Sequence, residues 1–328
     1  MLIRGRGYNE SKLGTEPIAA IIDKATTNHP VILVHASGHK SAANSVLLTI
    51  NHINKNTVDP AGGKFDRDAD GNPTGICKES ASHNLTKNDA IIPYPQKSFE
   101  EEVNNYADYF RNILSYGITS IGDAGADTGR LRIYKALVQQ RFPMRFNVMM
   151  LDKLLPEMEG GDGEHEADAW KVLQWFNEQK IEQVQNDFLR VKAMKVFHGN
   201  SLSGKTCWLY QPYNMINPST GKMDYYGIPY KRSQAELDSL FLAIHRKGLQ
   251  ICVHSNGDRE IDMVLNAFEK VYADGNPLQL HHRIEHCSVV NDSIIKRIKK
   301  LGVIPVLHNY INELGDLLEP YGEERLSK

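Results

Sequence analysis

The chain has 328 residues, 41% apolar and 24% charged, which is globular composition and excludes a disordered or fibrous protein. Lys plus Arg is 38 against 40 Asp plus Glu, a formal net charge of -2, so no general electrostatic pull toward nucleic acid or an anionic membrane is expected. The length suits one α/β barrel or two ordinary domains.

The opening MLIRGRGYNESK has no apolar run behind its basic residues, so it does not read as a signal peptide. Apolar runs fall far short of the ~18 residues that suggest a membrane span. Cys77, Cys207, Cys252 and Cys287 are widely spaced with no CxxC pair, which favours a reducing compartment. A cytoplasmic location is the expectation.

Residues 1–97 are rich in Gly, Pro, Asn and Asp, with weak helical periodicity, and form the first expected domain. Residues 59–75 are turn chemistry almost throughout. Counted from Asp66, the sixth position of a calcium loop is Gly71 as required, but the twelfth is Cys77 where Glu is needed; a solvated turn is the reading.

Residues 98–328 form the second expected domain, and there a rhythm begins. Ser98 with Glu101 is a capping box; Val103, Tyr106, Phe110, Ile113 and Leu114 follow at helical spacing, Gly117 stops the helix, and 118–121 reads as a strand. Ser233 and Glu236 repeat the box before Leu237, Leu240, Phe241 and Ile244, with Gly248 as the stop and 249–254 as the strand. Asn291 or Asp292 caps a third helix carrying Ile294, Ile295 and Ile298; Gly302 ends it before the strand 303–308. Lys296, Arg297, Lys299 and Lys300 read as that helix's wet face. Further strands are expected at 144–150, 191–197 and 283–287. Six strands alternating with helices predict a parallel sheet, α/β in class: an incomplete (β/α)8 TIM-type barrel, two strands short, preceded by an inserted α+β subdomain. Neither GxGxxG nor GxxxxGK[ST] occurs, so dinucleotide and P-loop binding are not signalled.

Such barrels carry their chemistry at the C-terminal ends of the strands. That filter selects His254, His286 and His308, and Lys195 followed by His198. A single histidine near a strand end is ordinarily a hydrogen-bonded structural residue. Several at equivalent ends shift the reading toward a metal site, since neutral imidazole suits zinc, iron or nickel. Lys195 lies in an apolar strand, where an ammonium is costly unless paired or chemically altered. Cys252 shares strand parity with His254 and ranks behind it as a ligand. His281 and His282 read as loop residues.

Read together, the segments resemble the metal-dependent amidohydrolase superfamily, family 3 branch, which includes the N-substituted formamide deformylases. The resemblance rests on Gly5-Arg6-Gly7-Tyr8; His35-Ala36-Ser37-Gly38-His39 with Asn44-Ser45; residues 59–75 and Glu79; Gly117-Ile118-Thr119-Ser120; Lys195-Val196-Phe197; Pro212-Tyr213; His254-Ser255-Asn256-Gly257-Asp258; and Arg283-Ile284-Glu285-His286. It implies that Lys195, the carbamylatable lysine of the superfamily, with His254 and His286 holds a divalent metal, zinc being the expected ion. It further implies a catalytic role for Asp258, substrate contacts from His39 and His308, and hydrolysis of a small amide-like substrate. The sequence departs from the family pattern in three places. The His-x-His pair of strand one and the late proton-handling Asp are not found, and Gly199-Asn200 stands where Asp-Gly is usual. The His35…His39 spacing is wrong for the missing pair. Weak metal affinity and little turnover are therefore expected, and a non-catalytic barrel that binds a partner or self-associates as a homo-oligomer is the alternative. A sugar-phosphate barrel would want a glycine loop where Asn309-Tyr310-Ile311-Asn312 stands.

Overall fold

The computed structural model describes residues 1–83, 85, 97–152, 167–178, 186–217, 220–276, 278–308 and 314–326. The first sheet contains β1 (Ile3–Tyr8), β2 (Val31–His35), β3 (Lys40–Ala43), β4 (Gly63–Arg67) and β5 (Pro73–Glu79), in the order β1-β2-β3-β5-β4. β1 runs parallel to β2; the other pairs are antiparallel. Asn44 anchors this unit. Its buried side chain caps the helix Ser45–Ile50 by accepting from the Leu47 amide at 3.1 Å and also accepts from the Val31 amide at 2.9 Å. The aspartate-rich stretch is the turn of the β4–β5 hairpin. Asp68 Oδ1 accepts from the amides of Asp70 and Asn72 at 3.0 and 2.8 Å, so that carboxylate is engaged in shaping the turn.

The second sheet contains β6 (Ser120–Ala126), β7 (Arg145–Leu151), β8 (Leu189–Phe197), β9 (Gln250–Ser255), β10 (Arg283–His286) and β11 (Ile304–Leu307), side by side in chain order and all parallel. It is a curled, incomplete barrel with six strands among the described residues where a closed one has eight. In chain order residues 97 and 98 come after the strands of the first sheet and before those of the second, and residues 86–96 lie outside the described ones.

The helices start where the sequence caps them. Ser98 and Ser233 form complete capping boxes with Glu101 and Glu236, and Asn291 caps the helix Asp292–Leu301. Gly302 closes that last helix with φ 67°, a left-handed conformation that glycine adopts without strain. One correction concerns its basic face: Arg297 ion-pairs with Asp262 and Glu269 at the neighbouring helix Asp258–Ala273 and is only 20% exposed. Strand parity divides the second sheet. Met194, Val196, Ile251, Val253 and Ile284 pack outward against helices, so Lys195, Cys252 and His254 fall on the concave face.

Candidate active site

The carboxyl ends of β8, β9 and β10 open on one cavity of about 380 Å³, lined among others by His39, Lys195, Phe197, His254, Glu285, His286 and His308. Lys195 and His254 arrive by strand alternation. His286 does not: in β10 Ile284 faces the helices, so alternation alone would turn His286 the same way. Left-handed φ values of 73° at His286 and 47° at Cys287 break the alternation, and both Glu285 and His286 line the cavity. Two consecutive non-glycine residues in that conformation store backbone strain at the strand end.

His39 comes from the other sheet, in the turn between β2 and β3. Its Nδ1 is 2.8 Å from Glu79 Oε2, and Glu79 Oε1 accepts from the Thr206 hydroxyl at 2.5 Å. The ring of His39 stacks on His254 at 5.2 Å, His254 meets His286 at 4.6 Å, and His286 meets His308 at 5.5 Å. Four imidazoles thus follow one another along the rim. Burial and then the charge of Lys195 hold the His254 ring well below the ordinary imidazole range and press His286 down to about 4, so both are neutral at physiological pH. The Lys195 ammonium sits 3.9 Å over the Phe197 ring, a cation–π contact in the same cavity.

His254 Nε2 lies 3.0 Å from the Asn200 carbonyl and 3.2 Å from the Asn256 side-chain nitrogen; a carbonyl oxygen only accepts, so the shorter contact favours the Nε2–H tautomer, with the lone pair on Nδ1. The donor chemistry therefore suits a divalent metal: two neutral imidazoles on adjacent strands, one with its tautomer set by a backbone oxygen. The set is incomplete. Among the described residues no three His, Cys, Asp or Glu side chains converge as a metal cluster.

Asp258 begins the helix Asp258–Ala273, two residues after the cavity-lining Asn256; it accepts from the Tyr210 amide at 3.0 Å and is not among the residues lining the cavity. Cys252 is fully buried on the concave face with Met149 and Ala193, and burial pushes its thiol up to about 12, a packing residue by both measures. His35 faces Glu10 at 3.0 Å inside the first sheet's unit. His282 is a loop residue with no exposure, bonded to His245 at 3.0 Å. Sequence reasoning gave no role to Glu260, whose buried carboxylate binds four backbone amides around the rim. A signal for it existed: Glu260 stands four residues before Val264 and eight before Phe268, on the apolar stripe of its helix.

Parallel strands curled into a half-barrel, with imidazoles gathered at their carboxyl ends, define an α/β protein of the TIM-barrel type. Residues 1–326 match the amidohydrolase family, and the chain belongs to it, in the family 3 branch. The Bacillus subtilis protein YtcJ is 26% identical over 98% of this chain and 56% of its own length. The N-substituted formamide deformylase of Arthrobacter pascens is 25% identical over 92% of this chain and 52% of its own. The chain spans about half the length of the curated relatives it matches. Among solved structures, a metal-dependent hydrolase from Pyrococcus furiosus superposes with TM-score 0.59 at 24% identity, over 99% of this chain and 59% of that one, a likeness of fold. Among the described residues, no helix is long and apolar enough to cross a membrane.

Proposed function

We propose that the chain carries the site of a hydrolase that cleaves a carbon–nitrogen bond in a small amide- or formamide-like molecule, with His254, His286 and a carbamylated Lys195 as the residues that would hold a divalent metal, zinc by preference. The observation that carries the reading is that these three side chains, from three successive strands, line one cavity at the carboxyl rim. When bound, such a metal lowers the pKa of a water molecule and polarises a carbonyl oxygen. The chain's own part is to keep both imidazoles neutral by burial, which does not depend on the Lys195 charge that carbamylation would remove, to fix the His254 tautomer through Asn200, and to shape a cavity of about 380 Å³ that suits a small substrate. His39, steadied by Glu79, and His308 flank the cavity as substrate contacts. Asp258 is not among the residues that line the cavity, and this reading gives it no catalytic role. The division at residue 97/98, a reducing cytoplasmic setting, weak metal affinity and low turnover belong to the same proposal.

The test is hydrolysis of N-formyl and N-acyl amines by the zinc-supplemented chain. Turnover in the wild type that vanishes in both Lys195→Ala and His254→Ala supports the reading; equal rates in all three contradict it. A second reading, a non-catalytic half-barrel that self-associates, is favoured by β6 and β11, which are the outermost strands of their sheet among the described residues, and by exposed Leu307 and Ile304 on the latter. A zinc-free, inert and oligomeric sample in analytical ultracentrifugation would select it.

A further inference from the structure

Glu260 is fully buried in the first turn of the helix Asp258–Ala273. Oε2 accepts from the amides of Asn256 and Gly257 at 3.2 and 2.9 Å, which is ordinary capping of its own helix. Oε1 has no part in that cap. It accepts from Asn200 at 3.0 Å and Trp208 at 2.8 Å, 60 and 52 residues away. The surroundings are built around this carboxylate. A Cβ on Gly199 would stand 2.4 Å from Oε2, and one on Gly257 would stand 2.2 Å from the Trp208 carbonyl.

Asn200 is held at its other end by the candidate site. Its carbonyl accepts from His254 Nε2 at 3.0 Å and from the Asn256 amide side chain at 2.7 Å. Asn200 thus joins the buried carboxylate to the histidine, and Asn256, whose backbone amide donates to Oε2 and whose side-chain nitrogen lies 3.2 Å from His254 Nε2, braces the same junction. We propose that Glu260 is a positioning residue: it clamps Asn200, and Asn200 in turn locks His254 as the Nε2–H tautomer that leaves Nδ1 to bind metal. The inference rests on His254 being a ligand, but its first consequence, the tautomer, does not need metal at all.

Long-range proton–nitrogen NMR on the full chain with ¹⁵N-labelled histidine reads the tautomer directly, the His254 signals being assigned by their loss in His254→Gln. The wild type should show one species protonated at Nε2. In Glu260→Gln the amide group can no longer accept from all four N–H donors; the His254 signals should shift toward a mixture of tautomers, and zinc affinity, measured by competition with a chromophoric chelator, should fall about tenfold. Leu265→Ala, which opens the core of the same helix, should lower the melting temperature while leaving both readouts at wild-type values. If Glu260→Gln does not fold, Glu260→Asp, with its shorter reach, carries the same test. An unchanged Nε2–H species in the folded variant overturns the proposal. A wild type that takes up no zinc defeats the ligand reading instead, and the tautomer comparison still decides the role of Glu260.

Discussion

Acid should loosen this protein through His282, by an amount the structure lets one work out. His282 has no exposed surface and lies flat on Phe268, with ring centroids 5.3 Å apart. Its Nδ1 accepts from the Ile251 amide at 3.0 Å, so the ring's proton is on Nε2 and is donated to His245 Nδ1 at 3.0 Å; His245 then donates from Nε2 to the Gly275 carbonyl at 2.7 Å. A second proton, on Nδ1, would face the Ile251 N–H. Burial, and after it the neighbouring His245 and His281, lowers the ring's pKa from 6.5 to about 3. Between those values the unfolded chain binds a proton that the folded chain refuses, so stability is full above pH 6.5 and declines as pH falls toward 3. At roughly 1.4 kcal/mol per unit the whole window is worth about 5 kcal/mol, and the stretch from pH 6.5 to 5 about 2 kcal/mol. Urea unfolding of the wild type and of His282→Gln, which cannot take up this proton, isolates the effect. The wild type should lose about 2 kcal/mol more than the variant over that stretch. Parallel stability curves would refute the reasoning.

Asn44→Ala should cost about 2–4 kcal/mol, because it leaves the buried amides of Val31 and Leu47 without acceptors; a thermal melt within a degree of wild type would contradict this. Gly199→Ala should destabilise by more than about 1 kcal/mol, since Gly199 sits at φ 139° and an added Cβ would press on the Glu260 carboxylate. Chemical denaturation measures it, and an unchanged midpoint would show that the Glu260 cradle is looser than described.

Three of the six strands of the half-barrel were legible because each follows a capped, periodic helix and a glycine stop, all of them local signals, and the other three were read from their apolar runs. Lys195 and His254 were legible for the same reason: strand parity assigns their face once the strand is known. His286 reaches the cavity for a reason the sequence hides, a left-handed backbone at two residues with ordinary side chains. Glu260 was overlooked because its meaning lies in partners up to 60 residues away, and the Glu79–Thr206 bond spans 127. Asp258 was singled out by its place in a motif beside His254; what the sequence did not give is that it opens a helix and accepts from the Tyr210 amide. The sugar-phosphate alternative turns on residues 309–312, which lie outside the described residues.

Zinc uptake by the full chain tests the central claim most directly. Equilibrium dialysis with elemental analysis, on the wild type, His254→Ala and His286→Ala, should find zinc bound by the first and an affinity at least about tenfold lower in each variant. Equal uptake by all three proteins would mean that these strand-end imidazoles do not form the metal site.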